Sequence, residues 1–370
     1  MTHWREPAPG EREAGDRSWE IVSSAFEERI PSPAGRNWRP IVIVALGVAV
    51  LAAAFTPPGL AVWSSLRDAV TSEDHLLSLP AEGRILVNSP SGAWVVKRDG
   101  SKRLLGGYLD ASWSPHGLYL AAARGNDLVA LEPNGRVHWK LARARPIGGP
   151  QWSYEGYRIA YLAGPALRVV NGDGTGDRLI SPNVVGSGLP SFAWRPATHE
   201  LAYKDSRNEL VLLDVDTKRV LWRLGKTNGI ERLLWSDDGQ RLFVAGGEPM
   251  VLDAAGHVIA AFSPQNLLPA GFAPKSRALA VVISANGQSR VSIYSGPRYK
   301  RRRVVFSGAG IFAGLAWSPD RRWLLVDWRS ADQWIFIRSA AVRRIAVRNI
   351  GNTFDSGPEH YATLAGWCCP

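Results

Sequence analysis

The chain has 370 residues, of which 45% are hydrophobic, so it can bury a sizeable core and is not disordered throughout. Its 16 Trp, 37 Gly and 25 Pro favour repeated short strands joined by many turns. The formal net charge is +11, and because residues 1–40 hold six Arg against seven Asp or Glu, the positive excess lies beyond them and suits an anionic partner.

Residues 1–39 are predicted to form a mostly disordered cytoplasmic tail, because Glu, Arg, Pro and Gly dominate them. The stretch SWEIVSSAFEERI is the exception, since its apolar residues recur at helical spacing and predict a short amphipathic helix. Its apolar face carries Trp19, Val22, Phe26 and Ile30. Such a helix docks on a partner protein, lies on the inner leaflet of a membrane, or frays without consequence.

Segment 40–63 is predicted to be a transmembrane helix. It includes the uncharged run IVIVALGVAVLAAAFTPPGLAVW, and about 20 apolar residues are enough to span a bilayer. Because proline cannot continue a helix, the pair Pro57-Pro58 limits the regular part of the helix to roughly Pro40 to Phe55. A cleaved signal peptide is the alternative, since AAAF offers small residues for processing. The forty residues of mixed charge that precede the run argue against it.

The charges around this segment predict its orientation. Arginines at positions 29, 36 and 39 precede the segment, and arginines at 67 and 84 follow it. Positive residues favour the inner side of a membrane, so we expect the N-terminus in the cytoplasm and the larger part of the chain outside. Residues 64–82 are then a juxtamembrane helix or linker, and residues 83–370 form the external domain.

An aromatic-centred motif repeats through this domain. Each copy reads as a strand ending near an aromatic residue, a polar turn and a second hydrophobic strand, as in ASWSPHGLYLAAA and LAWSPDRRWLLVD. Successive central aromatics are 39, 42, 41, 37 and 45 residues apart, a period typical of four-stranded propeller blades. These aromatics are Trp113, Trp152, Trp194, Trp235, Phe272 and Trp317.

The C-terminal sequence predicts how the ring closes. LAGWCCP places Trp367 in a seventh motif, 50 residues after Trp317, and no second, third or fourth strand follows it. Three strands without a first strand, GRILVN, GAWVVKRDG and KRLLGG, lie between Gly83 and Gly107. We therefore predict an all-β, seven-bladed β-propeller whose C-terminal strand completes the N-terminal blade and removes the free sheet edges.

These repeats resemble the PD40 or TolB-like branch of WD40-like β-propellers. The layout is similar to membrane-anchored propeller proteins of actinobacteria, on the strength of SAFEERIPSP, the apolar run ending in TPPGLAVW, GAWVVKRDGSKRLLG, ASWSPHGLYLAAARGNDLVALEPNG, DQWIFIR and GWCC. The resemblance covers nearly the full chain and implies the fold strongly and the function weakly. Two repeats depart from it, because WRPATHE and FAPKSRA lack the glycine of the turn.

The chain contains two cysteines, Cys368 and Cys369, which are neighbours. Side chains of neighbouring strand residues point to opposite faces, so one can lie between blades and the other at the surface. In an oxidising compartment they can instead form a disulfide with each other or with another chain. Metal binding is disfavoured, since no CxxC or nearby His completes a set of ligands.

The sequence favours a protein that is not an enzyme and that needs no cofactor or metal. Its seven His are scattered without an HExxH pair, and it contains no GxSxG elbow and no Walker-type phosphate loop. The glycine-rich stretch NGDGTGD superficially resembles a calcium or phosphate loop. It lacks the closing Glu of a calcium loop and precedes a strand, so we interpret it as a hairpin turn.

The sharpest run of charge is RYKRRR, at the hairpin position of the sixth unit. Its basic residues Arg298, Lys300, Arg301, Arg302 and Arg303 are candidate contacts for lipid headgroups or an anionic envelope polymer. A solvated loop is the alternative. Nucleic acid is not expected, because an external domain does not meet it.

Three functional hypotheses follow. The first is a non-enzymatic, single-pass membrane protein whose propeller binds a protein or an envelope ligand and whose tail signals to a cytoplasmic partner. The second is a static envelope scaffold, for which the tail helix is dispensable. The third is a propeller hydrolase or lyase, which requires Asp, Glu or His residues from several blades to meet in one pocket with shifted pKa values.

Overall fold

A computed structural model of the protein divides the chain into two compact units, Met1–Leu66 and Arg67–Pro370. All residues described below belong to the second unit. The predicted tail and the predicted transmembrane segment at 40–63 lie outside the described residues, and no helix within those residues is long and apolar enough to span a bilayer. The structure describes residues 72–73, 78–184, 192–225, 229–263, 267–339, 343–357 and 360–369.

The described residues form almost entirely β-structure, as the repeated hydrophobic strands predict. The two short helical elements are a 3₁₀ turn at Arg329–Ala331 and α1 at Ile350–Thr353. The strands of the first half are β1 (Ser72–Glu73), β2 (Arg84–Ser89), β3 (Gly92–Val96), β4 (Lys102–Leu104), β5 (Asp110–Trp113), β6 (Leu120–Arg124), β7 (Asp127–Leu131), β8 (Val137–Ala142), β9 (Ile147–Trp152), β10 (Arg158–Ala163), β11 (Ala166–Asn171), β12 (Arg178–Ser181), β13 (Phe192–Trp194) and β14 (Glu200–Lys204). Those of the second half are β15 (Leu210–Asp214), β16 (Val220–Leu224), β17 (Ile230–Trp235), β18 (Arg241–Gly246), β19 (Met250–Asp253), β20 (Val258–Ala261), β21 (Ala270–Phe272), β22 (Leu279–Ala285), β23 (Gln288–Ser295), β24 (Arg301–Ala309), β25 (Gly314–Trp317), β26 (Trp323–Trp328), β27 (Gln333–Arg338), β28 (Arg344–Arg348) and β29 (Thr363–Cys368).

These strands form seven sheets among the described residues, each built on four antiparallel strands. Blade 1 contains β29, β2, β3 and β4; blades 2 to 6 contain β5–β8, β9–β12, β13–β16, β17–β20 and β21–β24; blade 7 contains β25–β28 and, as a fifth strand, β1. The first strands of neighbouring blades contact each other around the whole ring. They therefore surround the central axis, and the fourth strands lie at the periphery.

The predicted ring closure is confirmed. Strand β29 pairs antiparallel with β2, so that Trp367 lies opposite Ile85. The indole Nε1 of Trp367 also donates a hydrogen bond to the carbonyl of Glu82, at 3.1 Å. Both Trp367 and Ile85 lie in an apolar cluster shared by blades 7 and 1. The two ends of the propeller are therefore held together by backbone pairing and by buried side chains.

The structure explains why the repeat begins with an aromatic residue and a serine. The six central aromatics from Trp113 to Trp317 each end a first strand, and in blades 2, 3, 5 and 7 a serine follows and lies in the turn. In blade 7 the hydroxyl of Ser318 is buried and accepts a hydrogen bond from the backbone N–H of Trp323, at 2.9 Å. Ser114, Ser153 and Ser236 make the equivalent bond in blades 2, 3 and 5. The buried serine side chain of the motif therefore stabilises the turn by a hydrogen bond with its backbone.

The repeats WRPATHE and FAPKSRA also form complete blades. In blade 4, Ala197 has a φ of 56°, and in blade 6, Lys275 has a φ of 50°. The glycine-containing turns of blades 2, 3 and 5 place their left-handed residue one position later, at a glycine. The assignment of these two repeats as blades is confirmed. Each of their turns places a residue other than glycine in the left-handed region, which is sterically unfavourable.

The chain before residue 83 takes part in the propeller. Strand β1 lies in the region predicted as a juxtamembrane helix or linker, and it pairs parallel with β28. Leu79 and Ala81 are buried in the cluster between blades 7 and 1. Blade 7 is therefore wider than its repeat predicts, because a peripheral edge strand has free hydrogen-bonding groups that a further strand can use.

Candidate functional site

The strands of each blade alternate in direction, so the turns of a blade divide between two faces of the ring. Face 1 carries the turns between the first and second strands and between the third and fourth strands. Face 2 carries the turns between the second and third strands and the connections between blades. The serine turns described above all lie on face 1.

A cleft of about 690 Å³ opens on face 1 between blades 2 and 3. This volume is within the usual range of ligand pockets. Strand β8 of blade 2 forms one wall, and the face 1 turns of blade 3 form the other. The lining residues are Tyr119, Ala130, His138, Trp139, Trp152, Gly156, Tyr157, Arg158, Asn171, Gly172 and Asp173. Aromatic rings therefore dominate a concave surface.

The rings of the cleft hold one another in place. Tyr119 stacks on Trp152 with ring centroids 6.4 Å apart, and its edge meets His138 at 4.9 Å. Such aromatic pairs contribute about 0.5–1.5 kcal/mol each beyond the burial of their area. The indole Nε1 of Trp139 donates a hydrogen bond to the carbonyl of Gly172, at 2.7 Å. The aromatic surface is thus preorganised by contacts within the protein.

The glycine-rich stretch NGDGTGD forms the turn between β11 and β12, as predicted, and lies on these rings. A Cβ atom at Gly172 would approach Trp152 to 2.9 Å, and one at Gly174 would approach Trp139 to 2.8 Å. Gly174 also has a φ of 87°. The glycines therefore let the backbone of the turn pack directly on two indoles, and Asp173 accepts hydrogen bonds from Thr175 of the same turn.

The charged groups around the cleft neutralise one another. Hydrogen bonds from His138, Arg136 and Asn134 lower the pKa of Glu132 to about 2. Arg158 pairs with Glu155 at 3.1 Å and with Asp216 at 2.5 Å. The cleft therefore offers mainly ring faces to a ligand rather than net charge.

The indole Nε1 of Trp152 is buried and has no partner among the described residues. The equivalent Nε1 atoms of Trp113 and Trp235, in blades 2 and 5, are also buried without a partner, so this is a feature of the repeat and not of the cleft. The cleft is therefore suited to an apolar or aromatic group that packs on its rings.

Exposed apolar side chains surround the opening. Leu118, Tyr154 and Tyr157 lie in the face 1 turns of blades 2 and 3 and are 63%, 48% and 71% exposed. Tyrosine and tryptophan are enriched at the centres of protein interfaces, and adjacent exposed apolar residues mark interaction sites. The cleft and its rim thus have the composition of a protein-binding surface.

The site residues predicted from sequence lie elsewhere. Arg298 and Lys300 are in the face 1 turn between β23 and β24, and Arg301, Arg302 and Arg303 begin β24, so only part of the basic run is a loop. All five are exposed. They lie on blade 6, away from the cleft. The predicted tail residues Trp19, Val22, Phe26 and Ile30 lie outside the described residues.

Cys368 and Cys369 lie at the end of the closing strand and are joined in a disulfide. The Sγ atom of Cys369 is 3.2 Å from the carbonyl oxygen of Pro115, in the first turn of blade 2. A Cβ at Gly117 would approach the Cβ of Cys369 to 2.9 Å. The disulfide thus packs against the first turn of the neighbouring blade.

A buried carboxyl group lies beneath face 2 of blade 7. Asp327 of β26 is fully buried, and neither of its carboxyl oxygens has a hydrogen-bond partner among the described residues. Burial raises the pKa of Asp327 to about 8, although Arg329 opposes the shift. Nearby, Asp332 accepts hydrogen bonds from the backbone N–H of Gly351 at 2.7 Å and from the Tyr361 hydroxyl at 3.2 Å.

Asp327 and Asp332 do not form the kind of site expected of a propeller enzyme, in which acidic residues or histidines from several blades meet in one pocket. Both carboxyl groups come from blade 7, and Asp327 is enclosed in the protein. Within the aromatic cleft the carboxyl group is that of Asp173, and its hydrogen bonds to Thr175 lower its pKa. Among the described residues, no three His, Cys, Asp or Glu side chains are grouped as metal ligands.

Comparison with known proteins identifies the fold. No protein-family model matches the chain, and no curated protein sequence matches it. Among solved structures, a chain of the mitotic checkpoint complex has a TM-score of 0.56 and 16% identity, covering 72% of this chain and 91% of that chain. The C-terminal WD40 domain of Sif2 has a TM-score of 0.53 and 14% identity, covering 75% and 84%. The β-propeller domain of Cps50 (Swd1) from Myceliophteria thermophila has a TM-score of 0.51 and 13% identity, covering 65% and 86%.

The protein is therefore a seven-bladed β-propeller of WD40 type. At these identities the likeness concerns the fold, so the function has to be argued from the cleft itself.

Proposed function

We propose that the protein is a non-enzymatic, membrane-anchored β-propeller that binds a segment of a partner protein in the aromatic cleft of blades 2 and 3. The observation that carries this proposal is the preorganised set of rings with an exposed apolar rim. The resemblance to PD40 or TolB-like propellers of actinobacteria and the apolar segment 40–63 support a place at the cell envelope. In this proposal the tail, residues 1–39, couples binding to a cytoplasmic partner.

The chemistry of the cleft specifies the bound segment. A proline, aliphatic or aromatic side chain fits between Tyr119, Trp139 and Tyr157, because apolar groups lose unfavourable contact with water there. Extended peptide segments dock in aromatic-lined grooves in this way, which favours a protein segment as the ligand.

The static envelope scaffold is the alternative, and it differs in the role of the tail. A scaffold binds its partners equally well without residues 1–39 and has no cytoplasmic partner. The coupling hypothesis requires a cytoplasmic partner that is lost when these residues are removed.

The test is cross-linking of the full-length chain in native membranes, followed by quantitative mass spectrometry. Tyr157→Ala removes the most exposed ring of the rim, and Ile311→Ala is the matched control, because Ile311 is 58% exposed in a connection on face 2. We expect Tyr157→Ala to lower recovery of the cleft partner by about tenfold, because Tyr157 also lines the cleft itself. The Ile311→Ala chain retains it.

One further variant completes the experiment. The chain without residues 1–39 should lose a cytoplasmic partner and keep the cleft partner. Identical partner sets for wild type and Tyr157→Ala would refute binding in the cleft.

A further inference from the structure

We propose that the basic surface formed by blades 6 and 7 on face 1 binds the surface of a bilayer that contains anionic phospholipids. This surface is defined by Arg298, Lys300 and Arg301 of blade 6 and by Arg321, Arg322 and Arg343 of blade 7. All six residues are exposed. The proposal rests on the membrane anchor of the proposed function and assigns a second, separate contact to the propeller.

Contacts between the two blades make this a single surface. The guanidinium of Arg303 donates a hydrogen bond to the carbonyl of Ser339 at 2.7 Å, and the backbone N–H of Ser339 donates to the carbonyl of Arg322 at 2.8 Å. Arg321 also donates to the carbonyl of Lys275, at 3.2 Å. The turns of both blades are therefore adjacent, and the basic residues that they carry cover one continuous area.

The other blades balance their charge at the same position, but blades 6 and 7 do not. In blades 1 to 5 the turn between the third and fourth strands includes an acidic residue that accepts hydrogen bonds from its own turn: Asp99, Glu132, Asp173, Asp214 and Asp253. The corresponding turns SGPRYK and SAAVR contain no acidic residue.

Most of the basic groups on this surface have no acidic partner. Arg322 approaches Asp320 at 3.9 Å. The side chains of Arg298, Lys300, Arg301, Arg321 and Arg343 form no ion pair with another described residue. Their charge is therefore available to an external anion, and each basic residue close to an anionic bilayer contributes about 1 kcal/mol of attraction.

The position of β1 favours a bilayer over a soluble polyanion. Ser72 pairs with Ala346 and Glu73 with Val347, in parallel. Since β28 begins at Arg344 on face 1, β1 also begins on the side of the basic surface. The apolar run ends at Trp63, nine positions before Ser72, and nine residues reach at most about 30 Å. The chain that follows the apolar run in sequence thus enters the propeller on the side of the basic surface.

The test uses the full-length chain in lipid nanodiscs, made of phosphatidylcholine alone or of phosphatidylcholine with phosphatidylglycerol. Hydrogen exchange of the amides at 296–303 is measured in both. We expect exchange to be at least about fivefold slower in the anionic discs, since 1 kcal/mol corresponds to roughly that factor. The difference should disappear in high salt, because screening then acts within a few ångströms.

Charge reversal supplies the matched comparison. Arg298→Glu, Lys300→Glu and Arg301→Glu together should abolish the difference, because these side chains form no ion pair with another described residue and their replacement changes charge alone. The control triple, Lys97→Glu, Lys218→Glu and Arg219→Glu, changes exposed residues of face 1 on blades 1 and 4 and should retain it. The wild-type comparison of lipids and salt stands even if the triple variant folds poorly.

Two results would overturn the proposal. One is equal exchange in both kinds of disc; the other is equal protection by soluble polyphosphate in neutral discs, which would assign the surface to a soluble polyanion. If the chain is recovered outside the discs, the membrane anchor is wrong. Flotation of that chain with anionic and neutral vesicles then decides the lipid contact, since binding to anionic vesicles alone supports it and no binding refutes it.

Discussion

The buried carboxyl of Asp327 gives the sharpest test of the propeller's electrostatics. We expect the stability of the wild-type chain to depend on pH between weakly acidic and neutral pH, and Asp327→Asn to remove this dependence. Burial raises the pKa of Asp327 from 3.8 to about 8 in the folded protein. Its protonated form is therefore the one that the fold accommodates, and asparagine is a neutral group of nearly the same shape.

The direction and size of the effect follow from this pKa. The contribution of Asp327 to stability is fully present below the unfolded pKa and is lost as the pH rises through the folded pKa. In that window each pH unit costs about 1.4 kcal/mol, so a rise from about pH 5 to about pH 7 lowers the free energy of unfolding by about 3 kcal/mol. For a domain of this size that corresponds to a fall in Tm on the order of 5 °C.

The assay is thermal unfolding of the full-length wild type and of Asp327→Asn, followed by tryptophan fluorescence across this pH range. The Tm of Asp327→Asn minus the Tm of the wild type should rise with pH. A pH-independent destabilisation by the amide shifts this difference by a constant and does not change its slope. Asp355→Asn is the control, because Asp355 is exposed beside α1, and its profile should run parallel to the wild type. Parallel profiles for wild type and Asp327→Asn would show that the buried carboxyl does not titrate as argued.

Two other predictions concern backbone packing and ring closure. Gly246→Ala should destabilise the propeller by at least about 3 kcal/mol in urea titrations, because the new Cβ would lie 1.8 Å from a backbone oxygen. Gly125→Ala, with no atom within 4 Å of its Cβ, should cost only about 1–2 kcal/mol for its left-handed φ. Deletion of residues 363–370 should abolish the folded state by circular dichroism. Replacing both Cys368 and Cys369 by Ser should lower stability by only about 1 kcal/mol, since their disulfide closes almost no loop.

The local sequence pattern predicts the ring of blades but not the position of the aromatic cleft. The spacing from Trp113 to Trp317 predicts the blades, and LAGWCCP predicts the closing strand, because a propeller repeats one local pattern and its missing strands have to be supplied. The cleft is different: Tyr119, Trp139 and Tyr157 belong to different strands and turns of two blades. Their convergence depends on the angle between blades, which no local pattern specifies. Aromatic residues outside the repeated motif are the signal that could have located it.

The basic surface, the burial of Asp327 and the pairing of β1 also depend on more than the local sequence. RYKRRR predicts a basic turn, yet the continuous basic surface depends on Arg321 and Arg322, which sequence places some twenty residues further along. Asp327 sits in WLLVDW, where nothing distinguishes a buried acid from an exposed one. The pairing of β1 with blade 7 could not be predicted either, since two residues carry no periodicity and parallel pairing depends only on which edge is free.

The closing strand also constrains how the protein is made. About 280 residues separate the end of β2 from the end of β29, and ribosomes add about 5–20 residues per second. The edge of blade 1 therefore waits roughly 15–60 s for its partner, with apolar residues such as Ile85 and Val87 uncovered. During that interval the nascent chain presents an open sheet edge to its neighbours, so production of this propeller depends on conditions that keep unfinished chains apart.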